Sequence, residues 1–356
     1  MVKSQMPHRG TLANPAGRFE TRGREELDDA WWERDELPPS ETTVAEDASR
    51  SVITRNSSPD IGFEQSINPY RGCEHGCIYC FARPSHAYFG LSSGLDFETR
   101  LFAKPQAPEL LERELSRPGY RCRTIAIGTN TDPYQPIERQ RRIMRAILEV
   151  LSAFHHPVCI TTKSALVVRD IDLLASLAGR GLARVAISLT TLDRDLARRL
   201  EPRAAVPERR LAAIGLLAKA GIPTMVMVAP VIPALTDHEM EAILAAAAAQ
   251  GATAAAWTLL RLPYEVKELF DGWLQQHSPH RRGRVLDLLR QSHGGDIYRA
   301  SFGRRLTGSG PIVDMVGQRF RLASHRLGLQ QIRPEPLRTD LFRLPPQQGD
   351  QLDLFR

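Results

Sequence analysis

Three cysteines, Cys73, Cys77 and Cys80, lie close together in this chain, and Tyr79 directly precedes the last of them. A C-x3-C-x2-C spacing on one loop can hold three irons of a four-iron cluster and leave the fourth iron without a protein ligand. An open iron is a place for chemistry, whereas a fully ligated cluster usually stores electrons. The spacing therefore indicates a reactive [4Fe-4S] cluster.

Other uses of cysteine fit this pattern less well. The chain has five cysteines, an odd and low number, and no signal peptide precedes them, so a disulfide framework is not expected. A structural zinc site would need a fourth ligand, for which His75 and His86 are the candidates, although His75 lies inside the loop. Buried inert thiols are the remaining alternative. Cys122 and Cys159 lie at the edges of apolar runs and are interpreted as small core residues.

The whole chain has the composition of a globular protein. Its 356 residues can form one barrel-sized domain with extensions. The longest apolar run, near Ala242–Ala249, is too short to span a bilayer, and the absence of a signal peptide predicts a cytoplasmic protein with reduced thiols. The net charge is +6, which permits a nucleic-acid partner without indicating one.

The sequence divides into four parts. Residues 1–60 are polar without periodicity and predict a flexible N-terminal arm, in which Trp31–Trp32 is the one apolar anchor. Residues 61–260 form the core, and residues 261–332 predict a basic helical C-terminal extension. Residues 333–356 predict a flexible tail that is rich in Pro, Gln and Gly. The extension carries Arg281, Arg282, Arg284, Arg304, Arg305, Arg319 and Arg321.

In the core, short β-branched runs alternate with amphipathic patterns. Strands are predicted at Thr124–Gly128, Val158–Thr162, Arg184–Leu189, Thr224–Val228 and Ala254–Leu260, and helices at Gln140–Ala153, Val168–Ala178, Pro207–Ala220 and Asp237–Ala249. This alternation predicts a parallel sheet with right-handed crossovers. With the unit that carries the cysteines there are six β-α units, so we expect an α/β fold with an open, partial (β/α)6 barrel. Ligands gather at the carboxyl ends of such strands, and the candidate residues below follow predicted strands.

The cysteine loop with Tyr79 and the partial barrel resemble the radical S-adenosylmethionine (SAM) superfamily over about residues 60–260. The resemblance implies a [4Fe-4S] cluster whose open iron binds the amino and carboxylate groups of SAM. It implies that the reduced cluster passes one electron to SAM, and that a 5′-deoxyadenosyl radical then abstracts hydrogen from a substrate. It also implies an electron donor such as flavodoxin or ferredoxin. The protein would position these cofactors and exclude water.

Three stretches resemble the spore photoproduct lyase-like group within that superfamily. They are Thr129–Glu138, Thr161–Ser164 and Ser188–Thr191. The resemblance implies that Thr131 and Asp132 approach the amino end of SAM, that Lys163 pairs with its carboxylate and that Ser188 bonds its ribose. A carboxylate beside an anionic cluster needs a cation, which a lysine at a strand end supplies.

The resemblance also implies further SAM contacts. The backbone near Tyr79 would meet the adenine, while Glu201, Arg203 and the pair Arg209–Arg210 would reach the ribose and the carboxylate. Taken singly, each candidate is also explained as a turn residue or a solvated loop residue. Their shared position after successive strands favours a functional role.

The chain departs from this group at one position. The lyase is thought to return a hydrogen atom from a cysteine at the head of the second-strand motif, where this sequence has Gly128 and Thr129. Cys122 lies at the opposite end of that predicted strand. Tyr134 is our hypothesis for a catalytic hydrogen donor in its place.

The C-terminal residues resemble the peptide with which bacterial repair proteins bind the sliding clamp. Gln351 would supply a hydrogen bond, and Leu352, Leu354 and Phe355 would enter an apolar pocket. The alternative is that these apolar side chains fold back onto the surface of the protein itself.

The main hypothesis is a radical SAM enzyme that acts on nucleic acid, as a lesion-repair lyase does. One alternative keeps the radical chemistry and changes the substrate to a peptide or a small molecule. The other is a non-catalytic iron–sulfur or zinc DNA-binding module, in which the metal serves folding or redox sensing.

Overall fold

The computed structural model describes residues 9–11, 13–19, 41–331 and 336–345. Its strands are β1 (Thr43–Glu46), β2 (Thr54–Arg55), β3 (Gln65–Ile67), β4 (Tyr70–Arg71), β5 (Arg100–Ala103), β6 (Ile125–Ile127), β7 (Val158–Thr162), β8 (Ala183–Leu189), β9 (Thr224–Val231), β10 (Ala254–Leu259) and β11 (Gln330–Gln331). Its helices are α1 (Asp96–Thr99), α2 (Ala107–Leu115), α3 (Glu138–Arg141), α4 (Ile143–Ala153), α5 (Ile171–Ala178), α6 (Arg194–Leu200), α7 (Pro207–Lys219), α8 (Met240–Ala249), α9 (Val266–His277), α10 (Pro279–Ser292) and α11 (Pro311–Arg326).

The main sheet has eight strands in the order β11-β10-β9-β8-β7-β6-β3-β2. Every neighbouring pair from β3 to β11 is parallel, and β2 adds an antiparallel edge. The six strands β3, β6, β7, β8, β9 and β10 form the predicted open α/β barrel, which is confirmed. A small sheet with the order β1-β5-β4 lies beside the cysteine loop.

The buried strands follow from their β-branched sequences. Ile125, Ile127, Val158, Ile160 and Val185 are fully buried in one core. Burial of each such side chain contributes about 1.5–3 kcal/mol. The predicted bounds of β7 coincide with the observed ones, and β9 extends to Val231 rather than ending at Val228.

The helix predicted over Gln140–Ala153 is interrupted. Helix α3 ends at Arg141, and α4 begins at Ile143. Arg142 between them has a φ of 51°, which a continuous right-handed helix does not allow. No helix in the described part of the chain has both the length and the apolar character that a transmembrane span requires.

The described part of residues 1–60, which the sequence predicts as a flexible arm, is hydrogen bonded to the core. The Gly10 N–H donates to Glu98 Oε2 over 2.9 Å, and the Leu95 N–H donates to the Ala13 carbonyl over 3.1 Å. Strand β1 pairs with β5, and β2 joins the main sheet. These bonds join distant stretches of chain, so local periodicity does not reveal them. Trp31–Trp32 lie outside the described residues.

The predicted helical extension contains α9, α10 and α11. Beyond it, the described residues 336–345, which belong to the predicted flexible tail, pack against the barrel. The Phe342 ring lies 5.4 Å from that of Tyr120 and 5.6 Å from that of His156. The Arg343 N–H also donates to the Phe154 carbonyl over 3.1 Å. The apolar Phe342 supplies the packing that a linker lacks. Residues 351–356 lie outside the described residues.

His156, beneath this segment, predicts a pH-dependent stability. It is fully buried, and burial lowers its pKa to about 4. The unfolded chain therefore takes up this proton near pH 6.5, and the folded chain only near pH 4, so the folded state loses stability as the pH falls between these values. Between pH 7 and pH 5, the free energy of unfolding should fall by ~2 kcal/mol less in His156→Gln than in the wild type. Urea unfolding at both pH values measures this difference. His238→Gln, at an exposed position, is the control. If the free energy of unfolding falls equally with pH in both variants, the prediction is wrong.

Candidate active site at the carboxyl edge of the sheet

The cysteine loop runs from β4 to a 3-10 turn at Arg83–Phe89. The Cys73 N–H donates to the Phe97 carbonyl over 2.9 Å, and the Ile78 N–H donates to the Leu200 carbonyl over 3.0 Å. Cys73 and Cys77 are buried, and Cys80 is half-buried. The charges of the Cys77 and Cys80 thiolates would both act on Cys73. The loop therefore brings the three predicted thiols together.

Arg83 and Glu98 form a buried ion pair beneath this loop. The guanidinium donates to the carbonyls of Gly76 and Cys77, two residues of the loop, over 3.1 and 2.9 Å. It also donates to the carbonyls of Ser93 and Gly94, and to Glu98 Oε1 over 2.5 Å. Both charged side chains are fully buried. Arg83 therefore fixes the backbone of the loop that carries the three cysteines.

Burial raises the pKa of all three thiols. At Cys77, the carboxylate of Glu201 raises the pKa further, while Lys163 opposes it. Cysteine binds metal as the thiolate, so iron at this site has to displace protons.

Three thiols on one loop match the donor set of a four-iron cluster with one open iron. No group of three or more His, Cys, Asp or Glu side chains in the described residues is arranged around one metal position. The thiolates of a cube each bind a different iron, so they stand further apart than the ligands of one ion. His75 Nδ1 lies 3.3 Å from Asp132 Oδ2, and His86 Nε2 lies 2.9 Å from the Arg100 carbonyl. Each ring thus has one polar neighbour, while His86 Nδ1 is buried without a hydrogen bond.

A lysine and a serine meet at the ends of β7, β8 and β9. Lys163 Nζ donates to Ser188 Oγ over 2.8 Å and to the Ala229 carbonyl over 3.2 Å. Nζ also lies 3.7 Å from Glu201 Oε1 and 5.8 Å from the centre of the Tyr79 ring. The structure thus brings Tyr79, Lys163, Ser188 and Glu201 together, beside the cysteine loop.

Glu201 is the centre of this polar cluster. It accepts hydrogen bonds from the Tyr79 hydroxyl, from Thr190 Oγ1 and from the Arg210 guanidinium, which is also its ion-pair partner. Burial alone would raise the pKa of Glu201, but Arg210 and Lys163 outweigh it and lower the pKa to about 2. The carboxylate is therefore ionised and fixed.

Thr131 and Asp132 lie against the cysteine loop. Asp132 Oδ1 accepts from Thr162 Oγ1 over 2.6 Å, and Oδ2 accepts from the Lys163 N–H over 2.7 Å. Asp132 Oδ2 also lies 3.3 Å from Nδ1 of His75, a residue of the cysteine loop. Burial would raise the pKa of Asp132, but His75 and these hydrogen bonds lower it. Asp132 therefore joins the loops after β6 and β7 to the cysteine loop, while Thr131 Oγ1 donates to the Tyr70 carbonyl over 3.1 Å.

The arginines predicted to contact SAM differ in their burial and in their partners. Arg203 pairs with Glu74, between the first two cysteines, over 2.9 Å. Arg209 is exposed on α7, whereas its neighbour Arg210 is buried beside Glu201. Of the predicted pair, only Arg210 therefore lies at the site, because a helix turns adjacent residues in different directions.

The structure argues against Tyr134 as a hydrogen donor to a substrate. Its side chain is 1% exposed and belongs to the main core. Its hydroxyl donates to Asp170 Oδ2 over 3.1 Å. Burial and the carboxylate raise the pKa of Tyr134. The hydroxyl is therefore committed to a structural contact.

Gly128 explains why the chain has no cysteine at that point. Its φ is 89°, and a Cβ there would lie 2.1 Å from the Thr161 carbonyl oxygen. Any larger residue would push apart the ends of β6 and β7. Cys122, before β6, lies at the opposite end of the strand, as predicted.

Several residues of the site were not among the sequence predictions. Thr190 and Gln135 lie within the stretches Ser188–Thr191 and Thr129–Glu138, which resemble the lyase-like group. Their position in those stretches could therefore have identified them. The Gln135 amide accepts from the Glu74 N–H over 2.8 Å and donates to the Gly72 carbonyl over 3.2 Å. Arg83 gave no local signal, since a buried arginine looks like a surface arginine in sequence.

The comparisons with known proteins agree with this geometry. The family model described as the radical SAM superfamily matches residues 67–247. An uncharacterized protein of Mycobacterium tuberculosis is 36% identical over 288 residues, which cover 80% of this chain and 81% of that protein. An uncharacterized protein of Methanocaldococcus jannaschii is 28% identical over 178 residues, covering 50% of this chain and 64% of that protein.

Among solved structures, a variant of spore photoproduct lyase with bound AdoMet and dinucleoside spore photoproduct has a similar fold. The TM-score is 0.59, the identity is 15%, and the match covers 81% of this chain and 80% of that chain. At this identity the likeness concerns the fold. The family match covers the cysteine loop and the strand ends that carry the polar cluster. The chain therefore belongs to the radical SAM superfamily and is an enzyme with a [4Fe-4S] cluster and S-adenosylmethionine as cofactors.

Proposed function

We propose that this enzyme acts on damaged DNA, with the reaction class of a lesion-repair lyase. The observation that carries the proposal is the position of three thiols, two of them buried and one half-buried, beside the cluster of Lys163, Ser188 and Glu201. This arrangement supplies one site for an open iron and an adjacent site for an amino acid linked to a nucleoside.

Different residues of the polar cluster would bind different parts of SAM. Cys73, Cys77 and Cys80 would hold the cluster, which when reduced would supply the electron for cleavage of SAM. Lys163 would hold the carboxylate, and Ser188 would bond the ribose. Glu201, fixed by Arg210, would keep Lys163 in place and balance its charge. Asp132 would hold the strand-end loops against the cysteine loop, which limits water at the site.

The helical extension supports a nucleic-acid substrate. Three of its arginines are neutralised by carboxylates: Arg282 pairs with Asp271, Arg305 with Asp60 and Arg319 with Glu241. Other arginines, namely Arg281, Arg284 and Arg304, are exposed and can contact phosphates. The protein with the similar fold binds a dinucleoside lesion, which supports the same substrate class here.

Replacement of Lys163 tests the assignment of the SAM site. Because a charge-assisted hydrogen bond contributes about 1.5–3 kcal/mol, we expect Lys163→Met to raise the Kd for SAM by ~10- to 100-fold. Equilibrium dialysis with the reconstituted protein measures this change. Lys267→Met, at an exposed lysine on α9, is the matched control. Unchanged affinity in Lys163→Met would contradict the assignment.

The substrate is tested with anaerobic, reduced enzyme, SAM and ultraviolet-irradiated DNA. We expect 5′-deoxyadenosine and a change in the mass of the irradiated oligonucleotide, with no change in undamaged DNA. Formation of 5′-deoxyadenosine with unaltered DNA would favour the peptide or small-molecule alternative. Absence of both products would contradict the SAM-cleaving activity itself.

We also propose that the C-terminal peptide binds the sliding clamp. The support lies in the sequence: Gln351, Leu352, Leu354 and Phe355 match the pattern of one polar and three apolar anchors. Truncation after Gly349 should abolish binding to purified clamp in surface plasmon resonance. Equal binding by the truncated chain would exclude this role.

A further inference from the structure

Several aromatic side chains are exposed beside the cysteine loop, on three separate stretches of the chain. We call them, with two arginines, the aromatic–arginine rim; the rings are Phe19 (59% exposed), Phe81 (42%), Tyr88 (74%) and Tyr264 (64%), and the arginines are Arg18 and Arg261. Exposed large apolar side chains that converge from distant stretches mark a binding surface. Core packing does not account for these rings.

Arg18 joins one part of the rim. Its guanidinium lies 4.0 Å from the ring centre of Tyr264, 5.2 Å from that of Phe19 and 5.8 Å from that of Tyr88. It also donates to the Pro84 carbonyl over 2.8 Å, and a long contact of 4.0 Å links it to Glu265. The arginine therefore ties the N-terminal segment to the turn after the cysteines.

Arg261 joins the other part and places the rim next to the cluster site. Its guanidinium lies 4.0 Å from the ring centre of Phe81, the residue after Cys80. Its positive charge acts on the Cys80 thiol. Arg261 follows β10, so it stands at the carboxyl edge of the sheet, where the site lies. This part of the rim therefore lies beside the cysteine loop at the carboxyl edge of the sheet.

The backbone of Tyr264 is strained. Its φ is 51°, a left-handed conformation that a bulky residue rarely adopts. Strain of this kind is retained mainly at functional positions. A tyrosine that is 64% exposed gains little from the core in return.

Given the proposed action on DNA, on which this inference rests, we infer that the aromatic–arginine rim binds unpaired bases of single-stranded or locally opened DNA. Every nucleobase has a flat face that stacks on an aromatic ring, and arginine attracts the phosphates between the bases. An acidic partner surface would match the two arginines, but it would not need four exposed rings. The combination of rings and cations favours DNA over protein.

Fluorescence anisotropy of the reconstituted protein tests the inference. The probes are a labelled single strand of twelve thymidines and a labelled duplex of equal length. We expect Tyr264→Ala and Tyr88→Ala each to weaken binding of the single strand by ~5- to 100-fold, with a smaller effect on the duplex. Tyr264→Phe, which keeps the ring, should bind as the wild type does. Leu216→Ala removes an exposed apolar side chain on α7 and is the control.

The outcomes separate this inference from the proposed function. SAM cleavage without DNA should be unchanged in Tyr264→Ala, which shows that the site is intact. If the wild type binds DNA and both alanine variants bind it equally well, the rim inference is wrong and the proposed substrate stands. If the wild type binds neither probe, both fail. Self-association of the wild type that Tyr264→Ala abolishes, measured by analytical ultracentrifugation, would overturn the inference and assign the rim to protein contacts.

Discussion

Replacement of any one of Cys73, Cys77 and Cys80 by alanine should abolish the cluster and the activity. Two thiolates leave two irons of the cube without protein ligands, and the nearby His75 and His86 rings already contact Asp132 and the Arg100 carbonyl. After anaerobic reconstitution with iron and sulfide, we expect iron content and the brown absorption to fall to background. Formation of 5′-deoxyadenosine should fall below detection.

Cys159→Ala is the matched control for this experiment. Cys159 is a half-buried thiol on β7, away from the loop, and its replacement removes the same atoms. It should retain the iron and the activity of the wild type. A Cys77→Ala variant that still bound about four irons per chain would refute the ligand assignment.

The sheet could be predicted because its strands carry their own local signal. Val158–Thr162 is β-branched and bounded by turn residues, and the same holds for Ala183–Leu189. The ends of these strands then locate Lys163 and Ser188 at one edge, since parallel strands align their carboxyl ends. The convergence of these two residues therefore follows from the order of the elements.

The remaining parts depend on contacts between distant residues. The segment that holds Gly10 looks unstructured in sequence, because its hydrogen-bond partner, Glu98, lies far along the chain. The tail segment with Phe342 looks like a linker for the same reason, since its partners are Tyr120 and His156. The choice between Arg209 and Arg210 needs the rotation of α7 relative to the sheet, which a charged pair at a helix start does not specify.

Replacement of Arg83 should cost the enzyme its cluster although Arg83 is not a ligand. We expect Arg83→Met to destabilise the fold by ~3–5 kcal/mol, because it leaves the buried carboxylate of Glu98 without its partner. It also frees the carbonyls of Gly76 and Cys77, which set the direction of the loop. Arg83→Lys should fail as well, since an ammonium is a point charge and cannot reach all five acceptors of the guanidinium. Iron per chain after reconstitution and urea unfolding of each variant measure the two effects.

A double variant separates the two roles of Arg83, which are to balance the charge of Glu98 and to bond the loop backbone. In Arg83→Met with Glu98→Leu, no buried charge is left unpaired, so much of the lost stability should return. The loop carbonyls are still unpaired, however, so we expect iron binding to stay low. Arg198→Met, at an exposed arginine on α6, controls for the loss of a positive charge. Recovery of full iron content in the double variant would show that charge balance, rather than the hydrogen bonds of Arg83 to the backbone, holds the loop in its cluster-binding form.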